Sequence, residues 1–544
     1  MRSIPQFAIV CFFTACFFSC NIEKKIEENK FDEFVSKMNS KGFATGNILV
    51  YENGEVVYKS SNGLRAINPI DSLDLNSQFR LASVSKQFTG MAIMKLKEAG
   101  KLDYDQKVNT ILPDFPYDYI TIRQLLNHTS GLTDYERVIA DNFIKEDSTK
   151  TYILGNDEIL EVFYQLNPEL DFQPGEKWEY SNTGYLVLAT VVEKTSGQHF
   201  REFLKEQITD PVGMSNTTLY KYQIEPDANT PNRVFGYRTA LNQTDLISND
   251  YDIVNDVRGD GGIYSTLDDL YKWNMALANH TIISKAYLDE AWTPGILNDG
   301  EKTDYGFGWF LEDDMTKPQT VSHSGGWVGF VTFLFNEVET KSGFIVLSNN
   351  SGENFGDIMR GISSIREGKP YVTPKESVSK EMAKRILTED VNSAMTYYHD
   401  KKSDTLKYQI SEGGLNALGY QLLGEDYLDK AIDIFKLNIE EYPTSANPYG
   451  SYGDALLMKG DSLNALKNFK KCFEMSDMFF VFRFGFEHHP DNRRGGRSGG
   501  VDDRIVDAER IRGDLVKFIG DPQQRIFNAG ADLEAQALAG KGRK

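Results

Sequence analysis

Ser83-Val84-Ser85-Lys86 sets a hydroxyl and an ammonium three residues apart. In a helix, residues at that spacing share one face. A serine hydroxyl is a poor nucleophile until a base takes its proton or a neighbour stabilises its alkoxide. The pair therefore suits attack on a carbonyl. The tetrapeptide is a weak signal by itself, because Ser377-Val-Ser-Lys380 repeats it. Two further clusters follow in order. Tyr180-Ser181-Asn182 lies 97 residues after Ser83, behind Phe172-Gln-Pro-Gly175 and Trp178, and His323-Ser324-Gly325 lies 143 residues after Tyr180. Tyr-x-Asn is also weak alone, since Tyr51-Glu-Asn53 matches it. The ordered set of three is much more specific, and Ser377 has neither partner motif after it.

This set resembles the serine β-lactamase and penicillin-binding-protein superfamily, in its class C and D-alanyl-D-alanine carboxypeptidase-like branch. Leu125-Leu-Asn-His-Thr-Ser-Gly-Leu132, Pro174-Gly175 and Gly261-Gly-Ile-Tyr-Ser265 are similar to further segments of that family. The resemblance covers roughly residues 40–350. It implies that Ser83 is acylated, and that Lys86 holds the proton network and favours the tyrosinate of Tyr180. Tyr180 would then serve as general base and acid. Asn182 would bind the substrate amide, His323 and Gly325 would line the pocket, and the N–H groups of Ser83 and Gly326 would form the oxyanion hole. Free Tyr and Lys both titrate near pH ~10, so base work at neutral pH needs burial and charge effects. His323 stands where many relatives carry Lys. A His is only partly charged at neutral pH, which leaves esters and D-amino-acid amides open beside lactams and cell-wall peptides.

Other residues have plainer readings. His128 is expected to be structural, as a loop-to-helix cap. Gly261 and Gly262 are expected to serve a close backbone approach. Trp178, Tyr185 and Trp327 suit a cleft or a core equally. Asp256, Asp260, Asp268 and Asp269 lack metal-ligand spacing and read as a solvated turn and a helix start. No metal and no organic cofactor is expected.

These residues need elements to carry them. Ile48–Tyr51 and Val56–Tyr58 flank Asn53-Gly54 and read as a hairpin. Val84 to Ala99 has helical periodicity ended by Gly100, and strands return at Trp327–Phe335 and Gly343–Ser348. Strands at both ends with helices between predict an α+β domain whose sheet is assembled from both ends of the segment. The family resemblance implies a β-lactamase/transpeptidase-like antiparallel sheet flanked by helices, with a helical subdomain, over 38–366. A linker over 367–387 and an all-α unit over 388–480 follow. In that unit Gly419, Leu422, Leu423, Ala431 and Phe435 recur 34 residues later as Gly453, Leu456, Leu457, Ala465 and Phe469. The period resembles tetratricopeptide repeats, whose surfaces commonly recruit a protein partner. Two repeats bury too little to stand alone, so support from the preceding domain or from a helix near Asp390–Asp400 is expected.

The 544 residues carry 59 basic and 79 acidic side chains. The resulting charge of −20 argues against nucleic-acid binding by bulk electrostatics. Residues 1–20 read as an export signal of lipoprotein type, with Cys20 lipidated and 21–37 a tether; an ordinary secretory signal is the alternative. That predicts an exported protein, periplasmic or at the cell surface, held on the membrane by its lipid. Residues 481–544 are Arg- and Gly-rich. They read as a tail of foreign origin, with a natural disordered tail as the alternative. The expected function is an exported serine hydrolase acting through a Ser83 acyl-enzyme on amide, lactam or ester bonds, as a D-alanyl-D-alanine carboxypeptidase or β-lactamase-like enzyme. An esterase or D-amino-acid amidase is the nearest rival, and a partner-recruiting binding module is the rival of another class.

Overall fold

The structure, a computed structural model, describes residues 29–42, 45–143, 150–221, 230–312, 319–350 and 355–475. The expected signal, Cys20, the start of the tether and the tail from 481 lie outside the described residues.

The chain divides into two compact units. The first comprises Met1–Ile139, Ile144–Arg238 and Ile247–Thr373. Its centre is a six-stranded antiparallel sheet in the order Phe310–Leu311, Thr320–Trp327, Phe330–Glu337, Ser342–Ser348, Gly46–Glu52, Glu55–Asn62. The early hairpin turns at Asn53-Gly54, with φ of 51° and 77°. Both central residues are left-handed, which matches the twist of the strands they join. The wholly buried strand Ser342–Ser348 pairs with Gly46–Glu52, Leu49 opposite Ile345. The two ends of the segment thus meet in mid-sheet, as the strand pattern predicts.

One face of the sheet is covered by a helix over 29–40 and by Phe355–Arg366. Phe31, Phe34, Val35 and Met38 pack there with Ile358, Ile362, Val50 and Val346. The Phe34 ring takes the space that a side chain at 361 would need, since a Cβ on Gly361 would stand 2.1 Å from it. The expected tether over 21–37 is therefore corrected from residue 29 onward, because four apolar side chains at helical spacing are buried. On the other side, Phe88 of the Lys86–Glu98 helix stacks on Trp273 at 4.5 Å. The Lys86–Glu98 and Asn182–Ser196 helices pack on each other.

The second unit comprises Ala140–Phe143, Thr239–Leu246 and the chain from Pro374 onward. Three helix pairs follow one another: Val378–Thr388 with Val391–Lys401, Glu412–Gly424 with Leu428–Glu441, and Asn447–Met458 with Ser462–Met475. The linker over 367–387 is corrected, since its second half is helix with Val378, Met382 and Ile386 buried. Ser377 caps that helix through its Oγ, which accepts from Lys380 N at 3.4 Å. The motif's double is thus a helix start. The 34-residue recurrence has a packing cause. A Cβ on Gly419 would stand 2.3 Å from the Phe435 ring, and one on Gly453 would stand 2.7 Å from Phe469.

The unit completes its core with a piece of chain from far upstream. Leu241 is fully buried among Met382, Leu415, Leu418 and Leu422. Its N–H donates to Glu425 at 3.1 Å, and Gln421 donates to Thr239 O at 2.9 Å. Leu241→Ala should destabilise this unit by about 2–5 kcal/mol, the usual range for a buried leucine. All five tryptophans lie in the first unit. The loss should therefore appear in the helical circular-dichroism transition and not in the tryptophan-fluorescence transition. Coincident, unshifted curves would contradict the burial of Leu241.

Candidate active site

Ser83 is positioned by a strand, a strained turn and a helix. Phe79–Arg80 pairs with Ile263–Ser265, and Leu81 N donates to Ile263 O at 2.8 Å. Ala82 then adopts φ +47°, a left-handed conformation that L-residues avoid. The turn Ala82–Ser85 follows, and the regular helix begins at Lys86, two residues later than the periodicity suggests. The turn is clamped from two sides. Thr332 donates to Leu81 O at 2.7 Å, and Ile263 N donates to the Ser85 hydroxyl at 3.3 Å. Ser83 is half-exposed at the mouth of a cleft that Arg80, Tyr135, Asn182, Asp260, Gly326 and Trp327 also line.

Lys86 is fully buried, one of the largest side chains so enclosed. Its Nζ lies 3.2 Å from Ser83 Oγ, 2.8 Å from Asn182 Oδ1 and 3.0 Å from the Asp260 carbonyl oxygen. The Tyr180 and Tyr185 rings flank it, with centroids at 4.8 and 5.6 Å. Burial lowers its pKa to about 8, against the upward pull of Asp260, Glu136 and Asp134.

The Tyr180-Ser181-Asn182 segment works as a helix start. Ser181 Oγ accepts from Gly184 N at 3.1 Å, so Asn182 is the first residue of the Asn182–Ser196 helix and points back to Lys86. The Tyr180 ring is partly exposed, while its hydroxyl is sealed from solvent and faces Ser83 without a hydrogen bond of good geometry. Burial pushes the phenol far up, and the Ser83 hydroxyl lowers it by less. Burial thus opposes the tyrosinate expected beside Lys86. His128 has φ +59° and accepts from Ser181 N through Nδ1 at 3.0 Å. Expected as a loop-to-helix cap, it here holds the loop before the Asn182–Ser196 helix. Tyr185 is fully buried and donates to Leu126 O at 2.9 Å.

The Thr320–Trp327 strand passes beside Ser83. A Cβ on Gly325 would stand 2.2 Å from Leu81 O and 3.1 Å from Ser83 N. Glycine is therefore required for the approach, and nothing crowds Gly326, which opens to the cleft. His323, expected to line the pocket, is enclosed behind it. It is 1% exposed, with Nε2 2.9 Å from the Tyr305 hydroxyl and Nδ1 2.5 Å from Ser324 O. Nδ1–H donates to the carbonyl and Nε2 accepts from the phenol, so both nitrogens are used by the neutral ring. Burial and the Lys86 charge lower its pKa to about 3.

Several site residues were not singled out from the motifs. Tyr135 and Glu136 open the Tyr135–Asn142 helix, and Asn182 Nδ2 donates to Glu136 Oε1 at 3.2 Å. Their only signal was position, just beyond the Gly131-Leu132 segment. Asp260 is corrected from a solvated turn residue, being 8% exposed and accepting the Tyr135 O–H at 2.9 Å. Asp269 is likewise buried, accepting from Asn216 N at 2.7 Å. Gly262, at φ +88°, meets Val257 O closely, whereas a Cβ on Gly261 would meet only the Ala82 backbone, at 3.9 Å. Asn255 Oδ1 accepts from Trp327 Nε1 at 2.7 Å and from Arg80 at 2.8 Å, which ties Trp327 to the cleft rim. Among the described residues no group of His, Cys, Asp and Glu has a metal-holding arrangement.

A protein-family model described as Beta-lactamase matches residues 29–363. Penicillin-binding protein 4* of Bacillus subtilis (strain 168) is 37% identical over 345 residues, 62% of this chain and 75% of the relative. Among solved structures, the octameric penicillin-binding protein homologue from Pyrococcus abyssi superposes with a TM-score of 0.54 at 26% identity, covering 63% of this chain and 78% of its own. The penicillin binding protein from Bacillus halodurans gives 0.53 at 25% identity, covering 61% and 98%.

Nitrogen-15 NMR of the imidazoles tests the state of His323. Its ring should stay neutral from pH 8 to about 5 and show the Nδ1–H tautomer. A midpoint near the ordinary ~6.5 would contradict the buried geometry.

Proposed function

As a member of the beta-lactamase family, the chain is a serine hydrolase of the β-lactamase and penicillin-binding-protein type, and we propose that it acts through an acyl-enzyme on Ser83. One observation carries this reading: the three contacts of the buried Lys86 amine. A neutral amine has two N–H donors and one lone pair. Asn182 Oδ1 and the Asp260 carbonyl can only accept, so they take the two donors. The lone pair is left for the Ser83 O–H. Lys86 is therefore the proton acceptor, poised because burial brings its pKa to about 8.

The sequence of steps follows. Ser83 Oγ attacks the substrate carbonyl as its proton passes to Lys86. The N–H groups of Ser83 and Gly326 hold the oxyanion, in the electrostatic role that is often the largest catalytic contribution. Tyr180, protonated and beside Ser83, gives its proton to the leaving group and recovers one from Lys86. A water then cleaves the ester on Ser83 by the reverse relay. Asn182 orients the substrate amide.

The acyl donor is an amide, lactam or ester, with a cell-wall peptide as the class suggested by the penicillin-binding relatives. The neutral, enclosed His323 favours a second substrate reading, an ester or D-amino-acid amide, because the strand supplies no cation there for a substrate carboxylate. The N-terminal segment is proposed to export the protein and anchor it through Cys20 at the cell surface or in the periplasm. No helix among the described residues is long and apolar enough to cross a membrane. The helical unit over roughly 374–475 is proposed to be tetratricopeptide-like and to recruit a protein partner.

Two measurements test the reading. Intact mass after mixing with benzylpenicillin should show a Ser83-dependent adduct, or turnover of the drug in the same tube. Ser83→Ala should lose both, and Ser377→Ala should keep them; retention in Ser83→Ala would sink the assignment. With p-nitrophenyl acetate as probe, kcat/KM should rise with pH through a midpoint near 8, since the free amine is the active form. A profile flat from pH 6 to 9 would remove Lys86 as the base.

A further inference from the structure

We infer that Glu136 is a positioning residue that fixes the orientation of the Asn182 carboxamide and thereby keeps the Lys86 lone pair free for Ser83. The inference rests on Lys86 being the proton acceptor.

The argument begins with what each group can offer. Asn182 lies between two partners, its Oδ1 2.8 Å from Lys86 Nζ and its Nδ2 3.2 Å from Glu136 Oε1. A carboxylate only accepts, so Glu136 requires the NH2 end of the amide. An ammonium only donates, so protonated Lys86 requires the oxygen end, and the two demands agree. They separate once Lys86 is neutral. The amine then carries a lone pair, and a rotated Asn182 could donate an N–H to it. That bond would occupy the pair that must receive the Ser83 proton. Glu136 opposes the rotation in this state, which is the state that reacts.

The carboxylate is itself well placed. Glu136 is half-buried in the first turn of the eight-residue Tyr135–Asn142 helix, where negative charge is favoured. Its backbone N–H donates to Asp134 Oδ1 at 2.7 Å, which pins the turn.

Glu136 also acts on Lys86 through its charge. The carboxylates that raise the Lys86 pKa are Asp260, Glu136 and Asp134, from two separate segments. On the other sides stand the His128 and His323 imidazoles, both held neutral, and the Tyr180 and Tyr185 phenols, both held protonated. Glu136 is thus one of three carboxyl groups in that shell, and burial raises the pKa of the other two, Asp134 and Asp260. Glu136→Gln removes a charge that favours the ammonium and lets Asn182 turn toward the free amine. Both effects move the Lys86 titration the same way, downward.

The test is a carbon-13 NMR titration of lysine Cε in the full chain, with the Lys86 signal assigned by its loss in Lys86→Arg. Glu136→Gln should titrate roughly one pH unit below the parent, the scale expected for loss of a nearby charge. Glu136→Asp, which keeps the charge, should stay near the parent midpoint. In parallel, the high-pH plateau of kcat/KM with p-nitrophenyl acetate should fall about tenfold in Glu136→Gln, more through kcat than KM, and recover in part in Glu136→Asp. A Glu136→Gln titration that overlays the parent, with an unchanged plateau, overturns the inference. A parent midpoint near the ordinary ~10.5 would instead overturn the Lys86 base, while the difference between variants still reads Glu136.

Discussion

The enclosure of one lysine governs the arrangement of the site. An ammonium removed from water is unstable unless acceptors surround it or it gives up its proton. Around Lys86 the chain supplies three oxygens, from Ser83, Asn182 and Asp260. These come from a strained turn, a helix start and a loop. Each must arrive in place for the amine to be tolerated there. The compensation is partial, and burial brings the pKa of the amine down to about 8.

The same low-polarity setting shapes the neighbours. Two histidines lie close by, and both are neutral because burial and the Lys86 charge oppose a second cation. Two phenols keep their protons because burial disfavours the phenolate. One basic group is thereby set apart in a pocket of neutral rings. Carboxylates enter only where a hydrogen bond holds them, as Tyr135 holds Asp260. The strand beside Ser83 can come so close because residue 325 has no side chain. Backbone proximity and electrostatic selection thus rest on the same few elements.

Much of this was legible in the residues. Ser83, Lys86, Tyr180 and Asn182 were found by order and spacing, and the structure brings them into one cleft. The sheet built from both ends of the hydrolase segment was readable from where the β-branched runs fall. Other features were not legible, for physical reasons. Whether His323 carries charge depends on Tyr305 and on enclosure, neither of which its motif encodes. Glu136 and Asp260 look like surface acids in one dimension, and only the fold half-buries the first and buries the second. The tether expected over 21–37 was read from polar residues, and the apolar face at 31, 34, 35 and 38 decided otherwise. The linker expected over 367–387 failed likewise, since Ser377 begins a helix.

The upstream piece of the helical unit has a temporal consequence. Leu241 leaves the ribosome well over a hundred residues before Val378 and the helices that enclose it. At a synthesis rate of about 5–20 residues per second, that interval is on the order of ten seconds. Throughout it the leucine waits without its core. The helical unit therefore cannot be added to a finished hydrolase as a separate cassette. A gene fusion at residue 374 alone would deliver helices with a hole where Leu241 belongs, and a truncation there would leave an apolar loop bare. The loop over 239–246 thus belongs to the helical unit although it is made long before that unit's helices.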